Sequence, residues 1–171
     1  MGTASLALRR YDLARKSYET AIALDPDYVL ALVKLGVTLS LMEHFNKAIT
    51  HYQAGLKIDL NDINSMIYIG NALQSKGEYD AAIESYSKAI ALTPNCAEAH
   101  NNLGNASENQ GNLQPAVKSY TQALVYQPEN EATQNNLIRA CQQLGVRILQ
   151  RIGQTDLKAS FKICLRYRSS E

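Results

Sequence analysis

The chain repeats itself every 34 residues, and that interval limits what it can become more than any other feature. Tyr18, Tyr52, Tyr86 and Tyr120 fall on one register, each preceded four residues earlier by alanine: Ala14, Ala48, Ala82 and Ala116. Ala21, Gly55, Ala89 and Ala123 follow three residues after each tyrosine, and Gly2, Gly36, Gly70 and Gly104 mark the first half of each repeat. Pro26, Pro94 and Pro128 close the repeats, with Leu60 in the remaining place. Such self-similarity is the mark of a repeat architecture, in which no repeat buries its apolar face alone and stacking is obligatory.

Apolar residues recur at spacings of three and four in both halves of each repeat, as in Ala82, Tyr86, Ala89 and Ile90. That periodicity predicts two helices per repeat, packed antiparallel. Small residues facing one another let the two backbones approach, and the tyrosine fills the gap left between neighbouring repeats. The turn inside a repeat shows as "KGEYD" (76–80) and "QGNLQ" (110–114), where glycine supplies the left-handed residue that ends a helix. Proline then stops the second helix. The predicted fold is all-α, an α-solenoid of antiparallel helix pairs.

The pattern resembles the tetratricopeptide repeat, a 34-residue unit of the form L-G…A-x-x-x-Y/F…A…P, over residues 1 to about 145. The resemblance implies a right-handed superhelix whose first helices line a concave groove. Complete repeats span 29–62, 63–96 and 97–130. Residues 1–28 form a first repeat whose leading helix is cut short, as expected of a fragment of a longer array. A fifth repeat opens with "EATQNNLIRACQQLG" (131–145), a first helix ending at Gly145. Its second half looks decayed, because Gln150 and Gln154 stand where Ala and Tyr are due.

Residues 146–171 differ in charge, with six Lys/Arg against Asp156 and Glu171. Thr155 or Asp156 can cap a helix whose apolar face is Leu157, Phe161, Cys164 and Leu165, with Lys158, Lys162 and Arg166 on the other side. The expectation is a C-terminal capping helix. The alternative is a basic amphipathic helix that meets a membrane or an acidic partner.

"AEAHNNLGNA" (97–106) crowds poor helix formers into a helix. In a stack of this kind Gly104 serves helix contact, and the asparagines fall on positions that face the groove. Reading those positions along the chain gives Lys34 and Val37, then Asn64, Tyr68, Asn71 and Gln74, then Asn101, Asn102, Asn105 and Glu108, and finally Asn135, Asn136 and Gln142. An asparagine carries two donors and two acceptors on a short stem, so a row of them can grip the backbone of an extended peptide. The peptide-binding candidates are therefore Lys34, Asn64, Tyr68, Asn71, Asn101, Asn102, Asn105, Asn135 and Asn136. "AHNNLGNA" is similar to the repeats of O-linked N-acetylglucosamine transferases, which carry comparable asparagine ladders. Chaperone-adaptor members of the family instead hold carboxylates with three cations and two asparagines. At the matching positions this chain has Ile67, Asn71, Asn102, Ala132 and Asn136, so the cations are lost.

Other functions find little support. The sequence has no P-loop, G-x-G-x-x-G, G-x-S-x-G or H-E-x-x-H, so the expectation is a non-enzyme without cofactor or metal. Cys96, Cys141 and Cys164 are isolated thiols, consistent with a reducing, cytoplasmic setting. A net charge of +1 gives no nucleic-acid footprint, and no apolar run is long enough for a membrane span. The primary expectation is a protein-interaction scaffold for a protein or peptide partner. Two alternatives are a detached substrate-recognition region of a larger enzyme such as a glycosyltransferase, and a self-assembling homo-oligomer stacked through open repeat ends near Leu6, Leu8 and Tyr11.

Overall fold

A computed structural model describes residues 2–151, with side chains described for residues 10–145 and for Arg147. The C-terminal segment expected to cap the array lies outside these residues. Among those described there are eight helices and no strand: α1 (Gly2–Leu24), α2 (Val29–Leu41), α3 (Phe45–Ile58), α4 (Ile63–Ser75), α5 (Tyr79–Leu92), α6 (Ala97–Asn109), α7 (Leu113–Tyr126) and α8 (Glu131–Arg151). The chain divides after Leu92 into two bodies, one holding α1–α5 and the other α6–α8. In each, consecutive helices pack in succession, and the first helices of adjacent repeats also touch, α2 on α4 and α6 on α8. This is the packing of an all-α solenoid.

Glycine and tyrosine lock each helix pair together. A Cβ added to Gly36 would lie 2.4 Å from the ring of Tyr52; the corresponding distances are 2.4 Å for Gly70 on Tyr86 and 2.5 Å for Gly104 on Tyr120. The rings are 1, 0 and 0 % exposed. The tyrosine therefore seats first on the glycine of its own repeat, more intimately than a filler between repeats requires. Tyr52 also meets the next repeat, its ring centroid 5.5 Å from that of Tyr68. Ala48, Ala82 and Ala116 are wholly buried and bring the paired helices close.

The turns within repeats are three copies of one device. Glu43, Gly77 and Gly111 have φ of 61°, 79° and 86°. The next amide in each case bonds back across the turn, His44 N–H to Leu39 O (2.8 Å), Glu78 to Leu73 (2.9 Å) and Asn112 to Ser107 (2.8 Å). These are Schellman caps, which satisfy orphan carbonyls at a helix end. Between repeats, Asp62 accepts bonds from the Asn64 and Ser65 amides, and Asn130 from the Thr133 amide, so each starts the next helix.

Both ends of the array depart from expectation. The register places Arg9 where the other repeats have their left-handed residue, yet α1 runs unbroken from Gly2 to Leu24. A non-glycine residue costs about 1–2 kcal/mol in that conformation, a cost that Glu43 bears in its turn and that the helical backbone at position 9 avoids. Gly2 and Tyr18 thus lie on one helix and cannot form a socket; Tyr18 packs instead against the Leu35–Tyr52 core. At the other end α8 does not stop at Gly145 but continues to Arg151. Glycine costs a helix interior about 1 kcal/mol, which is not enough to end it, and Val146 offers no side-chain oxygen to start another.

Two substitutions separate the socket from helix propensity. Gly70→Ala forces a methyl into the Tyr86 ring and is expected to destabilise the chain by about 1–3 kcal/mol. Gly55→Ala meets its nearest atom, of Val33, at 3.6 Å, an ordinary contact. It should stabilise by about 0.5–1 kcal/mol, and urea denaturation reads both signs. By the same measurement Glu43→Gly, which relieves a left-handed side chain, is expected to stabilise by about 0.5–1 kcal/mol.

Candidate functional site

The nine candidate residues divide between the two bodies. In the first, Lys34 on α2 and Asn64 on α4 are exposed or partly exposed, while Tyr68 and Asn71 are half-buried. Tyr68 and Asn71 line a cavity of about 220 Å³ together with Val37, Leu41 and Tyr52. The tyrosine that fills the glycine socket also reaches this face. The Tyr86 hydroxyl donates to Asn71 Oδ1 at 2.7 Å, with Gln74 Oε1 at 3.2 Å. In the preceding repeat the Tyr52 hydroxyl lies 3.2 Å from Ser40 Oγ. Burial pushes the Tyr52 phenol up from its usual range, against a smaller opposite effect of the Ser40 bond.

The second body gathers four of its five candidates. Asn101 Oδ1 accepts from Thr133 Oγ1 (3.1 Å) and Asn136 Nδ2 (3.2 Å), and Asn136 Nδ2 also reaches Asn105 Oδ1 at 3.2 Å. Asn101 Nδ2 donates to Asn102 Oδ1 at 3.3 Å. Tyr120 again ties the face to the socket beneath, donating to Asn105 Oδ1 (2.8 Å) and Glu108 Oε2 (2.7 Å). Asn135 is exposed on the same helix as Asn136 but lies outside these bonds. The amides thus form a fixed lattice joining α6 to α8, not a row of loose side chains.

Arg139 completes this lattice, and its part was not foreseen from the sequence. Its Nε and Nη2 donate to the two oxygens of Glu108 at 2.8 and 2.9 Å, a bidentate pair between helices. Gln143 adds a bond to Oε1 at 3.3 Å. The Arg139 guanidinium holds the Glu108 carboxyl below the usual carboxylate range, with Tyr120 assisting and burial opposing. Burial and then the Glu108 charge push the Tyr120 phenol well above its ordinary value. One signal was available in the sequence: opposite charges 31 residues apart, on the first helices of successive repeats.

Helix hairpins joined by Schellman turns, locked by Gly–Tyr sockets and stacked through their first helices, define a helical-repeat protein of the interaction class. Profiles of the TPR repeat match residues 4–42 and 70–111, and profiles of the tetratricopeptide repeat match residues 29–62 and 97–130. The chain belongs to the tetratricopeptide repeat family. Against curated protein sequences it finds no significant match. Among solved structures it is similar to a crystal structure of MamA, with a TM-score of 0.72 and 26% identity over 98% of this chain and 94% of that one. It is also similar to YrrB, described as a TPR protein with an unusual peptide-binding site (0.68, 21%, covering 78% and 69%). A third likeness is to the first TPR of Spaghetti (RPAP3) bound to HSP90 peptide SRMEEVD (0.65, 23%, covering 68% and 92%). The last two likenesses are of fold. Among the described residues no helix is long and apolar enough to cross a membrane, and no three potential ligands gather to hold a metal.

The Glu108 pair gives a pH signature. Glu108, with a side chain 9% exposed, has its folded pKa below its unfolded one. Its contribution is therefore full above the ordinary carboxylate range and is lost as pH falls through the folded value. Glu108→Gln should cost about 1–2 kcal/mol at pH 7, and the difference from the wild type should shrink as pH falls below the ordinary carboxylate range, measured by chemical denaturation.

Proposed function

We propose that the chain is a non-catalytic protein-interaction module whose two bodies each bind extended peptide, one at the face carrying Lys34, Asn64, Tyr68 and Asn71 and the other at the face carrying Asn101, Asn102, Asn105, Asn135 and Asn136. The observation that carries this reading is the amide lattice of Asn101, Asn102, Asn105 and Asn136, held by Tyr120, Thr133 and Arg139. Groups fixed before binding lose little freedom on binding, so polar contacts made there are retained as affinity. Amides suit the task chemically, since they offer both donor and acceptor to a peptide backbone whatever its sequence.

The first body has an apolar feature of its own, the cavity beside Tyr68. About 220 Å³ lined by Val37, Leu41, Tyr52 and Tyr68 takes one large aliphatic or aromatic side chain. Lys34 adds a positive charge on the same helix as Val37 and Leu41. The favoured ligand is thus an extended peptide with an apolar anchor, read mainly through its backbone. A cytoplasmic setting belongs to the same proposal, on the strength of three isolated cysteines.

The test uses a pool of extended peptides presented to the wild type and to the triple variant Asn71→Ala, Asn102→Ala, Asn105→Ala, with circular dichroism to verify that the variant is folded. Loss of three backbone-directed hydrogen bonds should weaken binding about tenfold or more. Unchanged affinity in the folded variant removes the amide face as the binding surface.

A further inference from the structure

Two repeats, 68 residues, separate Val37 from Asn105, Ser40 from Glu108, Leu41 from Asn109 and Tyr68 from Asn136. The same interval separates Asn71 from Arg139 and Ser75 from Gln143. In the first body these places line the cavity beside Tyr68. In the second body every one of them is polar, and three of them form the Glu108 cluster. One register therefore carries two different chemistries.

Hydrogen-bonding capacity in the second body is spent unevenly. A carboxylate has room for about four donors on its two oxygens. At Glu108, Arg139 Nε (2.8 Å) and Gln143 Nε2 (3.3 Å) take Oε1, while Arg139 Nη2 (2.9 Å) and the Tyr120 hydroxyl (2.7 Å) take Oε2. The acceptor is full, and its side chain is 9 % exposed. The guanidinium is not full. Glu108 takes two of its five N–H groups, Nη1 has no part in that pair, and the Arg139 side chain is 52 % exposed.

The neighbouring charges lean the same way. Arg139, Gln143 and Arg147 stand four residues apart on α8, a single stripe along one helix face. Arg147 Nη1 donates to the Gly111 carbonyl at 2.9 Å, an acceptor without net charge. Two guanidinium groups and one carboxylate thus meet at the end of α6, with positive charge in excess. A fixed, half-exposed guanidinium with N–H groups to spare matches a carboxylate. A ligand cation would face Arg139 with Glu108 already saturated, and an apolar side chain would desolvate the ion pair without replacing its water.

We propose, on the peptide-binding reading above, that Arg139 sets the ligand choice of the second body by taking the side-chain carboxylate of an Asp or Glu within the bound peptide. The first body then selects an apolar side chain and the second an acidic one. Arg139 is not one of the positions at which chaperone adaptors hold carboxylates; on α8 those are Ala132 and Asn136.

The test uses the full chain and pools of short acetylated, amidated peptides that share a fixed central Glu, Gln or Lys. Fluorescence anisotropy should show the Glu pool bound more tightly than the Gln or Lys pool by roughly tenfold. That preference should fade as salt is raised. Arg139→Gln alone strands the Glu108 charge, so the matched variant joins it to Glu108→Gln, with circular dichroism to verify the fold. The double variant should bind the Glu and Gln pools alike. Equal affinity of the wild type for these two pools would overturn the inference and leave peptide binding standing. So would a Glu preference that survives in the double variant, which assigns it to another cation such as Lys34. A Gln pool with a free C-terminus that binds as tightly as the Glu pool would put a chain end in place of the side chain, and overturns it equally. Failure of every pool to bind removes the function proposed above and this inference with it.

Discussion

Everything in this protein depends on a ring resting on a bare Cα. A methyl at Gly36, Gly70 or Gly104 would sit inside the van der Waals envelope of the tyrosine opposite, so each hairpin tolerates hydrogen alone at that point. Helix propensity favours alanine at these positions by about 1 kcal/mol. The glycine is there because close packing with a large, fully buried ring outweighs that preference. Around the socket stand the wholly buried alanines at 48, 82 and 116, which allow the same close approach one turn away.

The same tyrosine joins packing to the proposed binding face. Its ring serves the socket, while its hydroxyl holds Asn71 in one repeat and Asn105 with Glu108 in another. The proposed binding residues Asn71 and Asn105 are thereby tied to the buried ring of their hairpin. In the second body the anchorage extends across helices, through Asn136 to Asn101 and Asn105 and through Arg139 to Glu108. On the proposed function, a peptide bound there would meet groups already oriented, which favours affinity without a large ordering cost.

Much of this was legible in the sequence because sterics leave few choices. Gly, Tyr and Ala recur at fixed places because the socket needs a bare Cα, a large ring and small neighbours, and the turns at Gly77 and Gly111 could be read from glycine alone. The ends were less legible. Whether a helix breaks at a given register turns on whether one residue adopts a positive φ, which residue type alone does not decide. Glu43 adopts the left-handed conformation, whereas the chain at Arg9 and at Gly145 continues as helix. At the candidate site the asparagine positions could be read, but not their mutual bonds. Which acceptor Asn136 reaches, or that Arg139 clasps Glu108, depends on the stagger between repeats, a tertiary quantity that periodicity does not contain.

The central claim is most directly tested by nuclear Overhauser spectroscopy of the glycine α-protons. Contacts should appear from Gly36 to the ring of Tyr52, from Gly70 to Tyr86 and from Gly104 to Tyr120, with none to a tyrosine ring from Gly77 or Gly111, which have open space at their Cα. Absence of the three glycine–ring contacts in a folded sample would contradict the account.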